Sequence, residues 1–162
     1  MNILILDGNS HGLIVKAIIE QYAPATASIE LRTVIDKGNH CTNNMLCEGL
    51  VYALFSDVDI VNISLGLPNM SPEVSSTIDK LVDKGVKVVC ASGNYASTYP
   101  AKHSRTISVG ACDEQGNLRP YTIVGSYDVL ECDGMIVKGK KQYGSSFSAA
   151  AYTGKLANKE VI

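Results

Sequence analysis

Hydrophobic positions along this chain follow two rhythms, and the changes between them mark out its elements. Residues 2–6 read as a strand, with an unbroken apolar run after Asn2, the pattern of a strand buried on both faces of a parallel sheet. The run stops at the turn Asp7-Gly8-Asn9. Leu13, Ile14, Ala17 and Ile18 then recur at helical spacing to about Tyr22, with Ser10 as the expected N-cap. After the short connection 24–27, residues 29–35 alternate as a second strand. A polar loop at 36–42 precedes a helix over 43–55, with Leu46, Leu50, Ala53 and Leu54 on one face. Residues 58–65 read as a third buried strand, closed by Gly66-Leu67-Pro68. Ser71-Pro72-Glu73 combines a capping serine, a proline at the first helical position and an acid in the first turn. Val74, Ile78, Leu81 and Val82 give that helix its apolar face, and Gly85 ends it. A fourth strand over 86–91 terminates in Ser92-Gly93-Asn94. A loop through Tyr99-Pro100-Ala101 leads to a fifth strand at 106–111. Residues 121–124, 128–132 and a hairpin around 138–141 then carry the chain to Tyr143–Ala151, small residues that open a last helix. Strands alternating with helices predict a three-layer α/β/α fold with a mostly parallel central sheet and right-handed crossovers.

The length of 162 residues suits one domain spanning 1–162, and there are no repeats or linkers. A net charge of −2 gives no reason to expect nucleic acid or an anionic membrane as partner. No apolar run reaches the length of a membrane span. The N-terminus lacks a basic region and breaks at Asp7-Gly8, so it reads as a strand and not a signal peptide. The five cysteines are odd in number and show no Cys-x-x-Cys spacing. Cys90 and Cys112 fall in apolar runs, where a buried free thiol is usual, and a reduced, cytoplasmic setting is expected. His40, Cys41 and Cys47 match no standard zinc spacing; that segment is read as surface loop, with no metal or cofactor expected.

Candidate chemistry gathers at the element ends. Asp7 closes the first strand and His11 opens the following helix, the region where open α/β sheets place ligands. In Gly144-Ser145-Ser146, a serine at a loop-to-helix junction presents its hydroxyl beside unpaired N–H groups that favour negative charge. Each feature has a plainer reading by itself. Ser145 or Ser146 caps a helix, Asp7 and Asn94 serve turns, His11 only begins a helix, and Gly66 and Gly93 shape loops.

Their joint order carries more. A strand ending in Asp7, then His11-Gly12, then Ser92-Gly93-Asn94, then Gly144-Ser145-Ser146 resembles the subtilisin-like serine proteases, whose triad runs Asp, His, Ser along the chain. Asn9-Ser10-His11-Gly12 is similar to the family's histidine motif, and Val61-Asn62-Ile63-Ser64-Leu65-Gly66 to its substrate-pairing strand. Ala91-Ser92-Gly93-Asn94, Tyr99-Pro100-Ala101 and Ile107–Ala111 follow its central order. Gly144–Ala150 stands where the family has Gly-Thr-Ser-Met-Ala-x-Pro. The chain departs from that pattern in several places. Only Gly8, Asn9 and Ser10 separate Asp7 from His11, where relatives carry a long insertion. Leu13-Ile14-Val15 replaces the usual continuation of the histidine motif, and Ala150 replaces the proline. No propeptide is expected before the first strand.

The resemblance implies a minimal subtilisin-like fold and a serine endopeptidase acting on peptide or protein substrates. In it Ser146 is the nucleophile, His11 the base, Asp7 the group orienting His11, and Asn94 an oxyanion donor beside the Ser146 N–H. Ser64, Leu65 and Gly66 would pair with an extended peptide. Ser92, Gly93 and Thr98 would line the pocket for the residue before the cut. Two function classes remain: this endopeptidase, or a trimmed, catalytically silent module that binds peptides or partners, with an activating or oligomeric partner possible for either. An acyl hydrolase of another α/β type is disfavoured, because no Gly-x-Ser-x-Gly elbow exists.

Overall fold

In a computed structural model describing residues 1–160, the apolar runs become a six-stranded parallel sheet. Its strands are β1 (Asn2–Asp7), β2 (Ser28–Thr33), β3 (Ile60–Ile63), β4 (Lys87–Ala91), β5 (Ile107–Cys112) and β6 (Val129–Cys132). They lie in the order β2-β1-β3-β4-β5-β6. Residue by residue, β1 divides its apolar run between two cores. Ile3 and Ile5 face a cluster with Val15, Ile18, Ala149 and Ala150, whereas Leu4 and Leu6 face one with Leu46, Leu50, Ile78 and Leu81. Side chains alternate across a strand, so a strand covered on both faces is apolar except where a buried polar side chain finds a partner. Helices α1 (Asn9–Tyr22) and α4 (Ser145–Glu160) cover one face; α2 (Asn43–Leu54) and α3 (Pro72–Asp83) cover the other. This is the α/β/α layering expected from the sequence.

Strand order reverses at β1. The chain steps from β1 out to β2, then back across to β3, so the carboxyl ends of β1 and β3 form the switch point at which open sheets of this kind place ligands. Asp7 and Ser64 lie at those two ends.

Several local expectations need correction. Helix α1 starts at Asn9 with Gly8 in the capping position and no side-chain cap, so Ser10 lies inside the first turn. The second and third strands are shorter than their apolar runs, because ladder pairing stops at Thr33 and Ile63. Residues 121–124, given no element type by their sequence, form turns, since Thr122 bonds back to Arg119 through its N–H and to Ala111 through its hydroxyl. The expected hairpin is present as β7 (Met135–Val137) and β8 (Lys140–Gln142), joined by Lys138 and Gly139, both at positive φ as a two-residue turn demands.

Helices α1 and α4 pack closely at Gly154. A methyl group there would stand 2.7 Å from the Ile19 carbonyl oxygen and 2.8 Å from Tyr22 Cβ. Gly154→Ala gains about 1 kcal/mol of helix propensity, yet overpacking against backbone costs about 1–3 kcal/mol. The net result should be a lower urea midpoint with an unchanged slope; an equal or higher midpoint would contradict this packing.

Candidate active site

Asp7 is the last residue of an inner strand and only 1% exposed, so its carboxylate must be satisfied locally. It is. Oδ1 accepts the Gly8 N–H at 2.7 Å, and Oδ2 lies 2.7 Å from His11 Nδ1. Helix α1 starts directly after the turn, and the Gly12 N–H closes onto the Gly8 carbonyl at 2.8 Å, which brings His11 back over Asp7 within one turn. A carboxylate only accepts, so Nδ1 is the donor, and the neutral ring carries its free lone pair on Nε2. The His11 side chain is 40% exposed, beside a cleft of about 410 Å³ that Gly8, Asn9, Thr33 and Ile35 also line. Its ring also meets that of Phe147, with centroids 5.4 Å apart.

Phe147 belongs to the first turn of α4, so the serine segment adjoins His11. Gly144 precedes the helix at φ +139°, a conformation that disfavours a side chain. Its N–H donates to Asp133 Oδ2 at 2.8 Å. That buried carboxylate also accepts from Arg119 Nε at 2.8 Å and from the Tyr121 hydroxyl. Burial and the Asp133 contact push the Tyr121 hydroxyl pKa up, keeping it a donor. Ser145 turns inward: its N–H donates to Asn94 Oδ1 at 3.0 Å, and its hydroxyl accepts the Gly93 N–H at 3.2 Å. Because an N–H requires an oxygen, this bond orients the Asn94 amide and turns its NH2 away from Ser145. The Phe147 and Ser148 N–H groups both reach the Gly144 carbonyl, and the Ser146 N–H has no acceptor among the described residues.

Ser146 is tied to the end of β3. Its hydroxyl donates to the Ser64 carbonyl at 3.1 Å, and the Ser64 hydroxyl lies 3.2 Å from the Ser146 carbonyl and 3.0 Å from Asn62 Oδ1. The Asn62 amide donates to Thr153 Oγ1 at 2.9 Å, anchoring α4 to the sheet. Asp7 and His11 are therefore joined, and Ser146, Ser64, Asn94 and Gly93 are gathered around the start of α4. No hydrogen bond links His11 to Ser146 in this arrangement.

The residues expected to meet a peptide stand around this point. Ser64, Leu65 and Gly66 leave the sheet before Leu67 pairs again, exchanging two backbone hydrogen bonds with Tyr99 at 2.7 and 2.9 Å. Ser92 and Thr98 each bury a hydroxyl that has no partner, and Gly93 lies between Ser92 and Asn94 at φ +108°. Asn62, Thr153, Asp133, Arg119 and Tyr121 escaped the sequence reading. A polar residue interrupting Val61-Asn62-Ile63 was the one visible signal.

A model of the subtilase family matches residues 4–159. Subtilisin NAT of Bacillus subtilis subsp. natto is 32% identical over 136 residues, covering 74% of this chain and 35% of that protein. The subtilisin of Bacillus pumilus is 30% identical over 136 residues, covering 74% and 49% respectively. The chain thus spans about a third to a half of the length of these relatives. Among solved structures, the prenylagaramide maturation protease PagA superposes with a TM-score of 0.83 at 18% identity, covering 95% of this chain and 72% of the other. A cold-adapted subtilisin-like serine proteinase reaches 0.84 at 18% identity, covering 98% and 75%. Those two likenesses speak for the fold, which is subtilisin-like.

Proposed function

Since the chain belongs to the subtilase family, a family of serine proteases, we propose that it is a serine endopeptidase using Asp7, His11 and Ser146. The observation that carries this reading is the His11–Asp7 contact of 2.7 Å, which leaves Nε2 of a partly exposed imidazole as a base close to the serine segment, whose Phe147 meets the His11 ring. A serine hydroxyl is a weak nucleophile until a base takes its proton. Rotation about χ1 releases Ser146 Oγ from the Ser64 carbonyl toward His11 Nε2. Oγ then attacks the peptide carbonyl carbon while Nε2 takes the proton. The oxygen that becomes negative is met by the Asn94 NH2 and the unpaired Ser146 N–H. The imidazolium, stabilised by Asp7, gives its proton to the leaving amine. A water deprotonated by His11 then cleaves the acyl-enzyme and restores the serine. Ser64–Gly66 supplies free strand edge for an extended substrate.

Mapping a fluorophosphonate label tests this reading: the adduct should fall on Ser146. The second reading, a silent peptide-binding module, draws on the Ser146 hydroxyl being held by Ser64 and not by His11. Peptide binding without any label would establish that alternative.

Asn94→Ala should lower kcat by about 10²–10³-fold with little change in KM, the magnitude being subtilisin's own. A loss confined to KM would make Asn94 a binding residue only.

A further inference from the structure

We propose that Thr98 closes the pocket for the side chain preceding the scissile bond, restricting cleavage to sites after small residues: glycine, alanine or serine. This rests on the peptidase reading and adds the substrate class to it. The position of that pocket follows from the site's geometry. A carbonyl attacked by Ser146 and pointing its oxygen at Asn94 must belong to a residue lying between the ends of β3 and β4. Its backbone runs beside Ser64–Gly66, and its side chain enters the split between that segment and Ser92–Asn94.

Thr98 already occupies the split. A Cβ built on Gly66 would lie 2.4 Å from Thr98 Oγ1, 2.8 Å from its Cβ and 3.2 Å from its Cγ2. A Cβ built on Gly93, across the split, would lie 3.3 Å from the same Oγ1. The threonine side chain therefore fills the space that a side chain on Gly66 would need, and its hydroxyl also lies near Gly93, where the Ala96 carbonyl oxygen stands closer still at 2.2 Å from the same built Cβ. The backbone that carries Thr98 is held in place, because its neighbour Tyr99 is bonded in both directions to Leu67 and its own carbonyl accepts the Lys102 N–H at 3.1 Å. The Thr98 and Ser92 hydroxyls are both buried without a partner. A serine side chain brings a donor and acceptor to such groups, whereas an aromatic or long aliphatic chain brings only volume.

The test profiles cleavage of a mixed peptide library by mass spectrometry, alongside fluorophosphonate labelling, for the wild type, Thr98→Gly, Thr98→Ala and Thr98→Val. The wild type should cut after glycine, alanine and serine. Thr98→Gly should raise the kcat/KM ratio for phenylalanine over alanine at that position by at least about tenfold, the scale on which a pocket weighs a methylene or more. Thr98→Ala should move the ratio in the same direction, and it guards against misfolding of the glycine variant. Thr98→Val keeps the volume and should keep the restriction. A labelled wild type that cuts after large residues, or a ratio unmoved in labelled Thr98→Gly and Thr98→Ala, overturns the role of Thr98 and leaves the peptidase reading standing. A folded wild type that neither labels nor cleaves overturns both.

Discussion

Ser146→Ala is expected to abolish peptide hydrolysis and fluorophosphonate labelling, a fall of about 10⁶-fold in kcat on subtilisin's own scale. The neighbouring serines cannot substitute. Ser145 is buried and its hydroxyl receives the Gly93 N–H, while Ser148 is fully buried inside α4. Of these three serines, Ser146 alone is partly exposed. The fold should survive, because the substitution removes one hydrogen bond, to the Ser64 carbonyl, worth about 1 kcal/mol. Circular dichroism and a melting temperature within a few degrees of wild type would show that the loss is chemical. Undiminished labelling of the variant would take the nucleophile's role away from Ser146.

Asp7→Asn is expected to cost about 10⁴-fold in kcat, the magnitude known for the corresponding change in a chymotrypsin-type triad. The local geometry gives a reason for it. The Gly8 N–H holds one oxygen of Asp7, and in the variant that N–H must hold the amide oxygen. The amide NH2 is then forced toward His11 Nδ1, which must become an acceptor and surrender its proton to Nε2. Nε2 then loses its lone pair, and with it the capacity to activate Ser146. KM should change little, since no substrate contact is removed. A drop of less than tenfold would mean that His11 keeps its tautomer by another route.

Much of this was legible in the sequence. The apolar run Ile3–Leu6 in β1 announced a strand covered on both faces, and its end located Asp7. Ser71-Pro72 marked the start of α3, where the Ser71 hydroxyl accepts the Val74 N–H at 3.2 Å. The start of α1 was misplaced because Ser10 has the chemistry of a cap, while the actual cap position is a glycine with Asp7 satisfying its N–H. Residues 121–124 carry strand-forming side chains, yet the bonds of Thr122 to Arg119 and Ala111 bend them into turns. The support beneath the serine segment was invisible for a different reason. Asp133 sits in Cys132-Asp133-Gly134, which looks like any polar turn, and its three donors come from Arg119, Tyr121 and Gly144. Such a convergence exists only after the chain has folded.

The bonds that seat α4 reach far back along the polypeptide: Asn62 to Thr153 spans 91 residues, and Ser64 to Ser146 spans 82. Contacts of such long sequence separation form late, after the loops between them have been closed at an entropic cost. During synthesis Asp7 and His11 emerge well before the helix that bears Ser146. A nascent chain on the ribosome therefore holds an oriented imidazole with nothing to activate. Docking of α4 completes the folded core and brings Ser146 to the end of β3 in one step, so on the proposed peptidase reading an unfinished chain lacks its nucleophile.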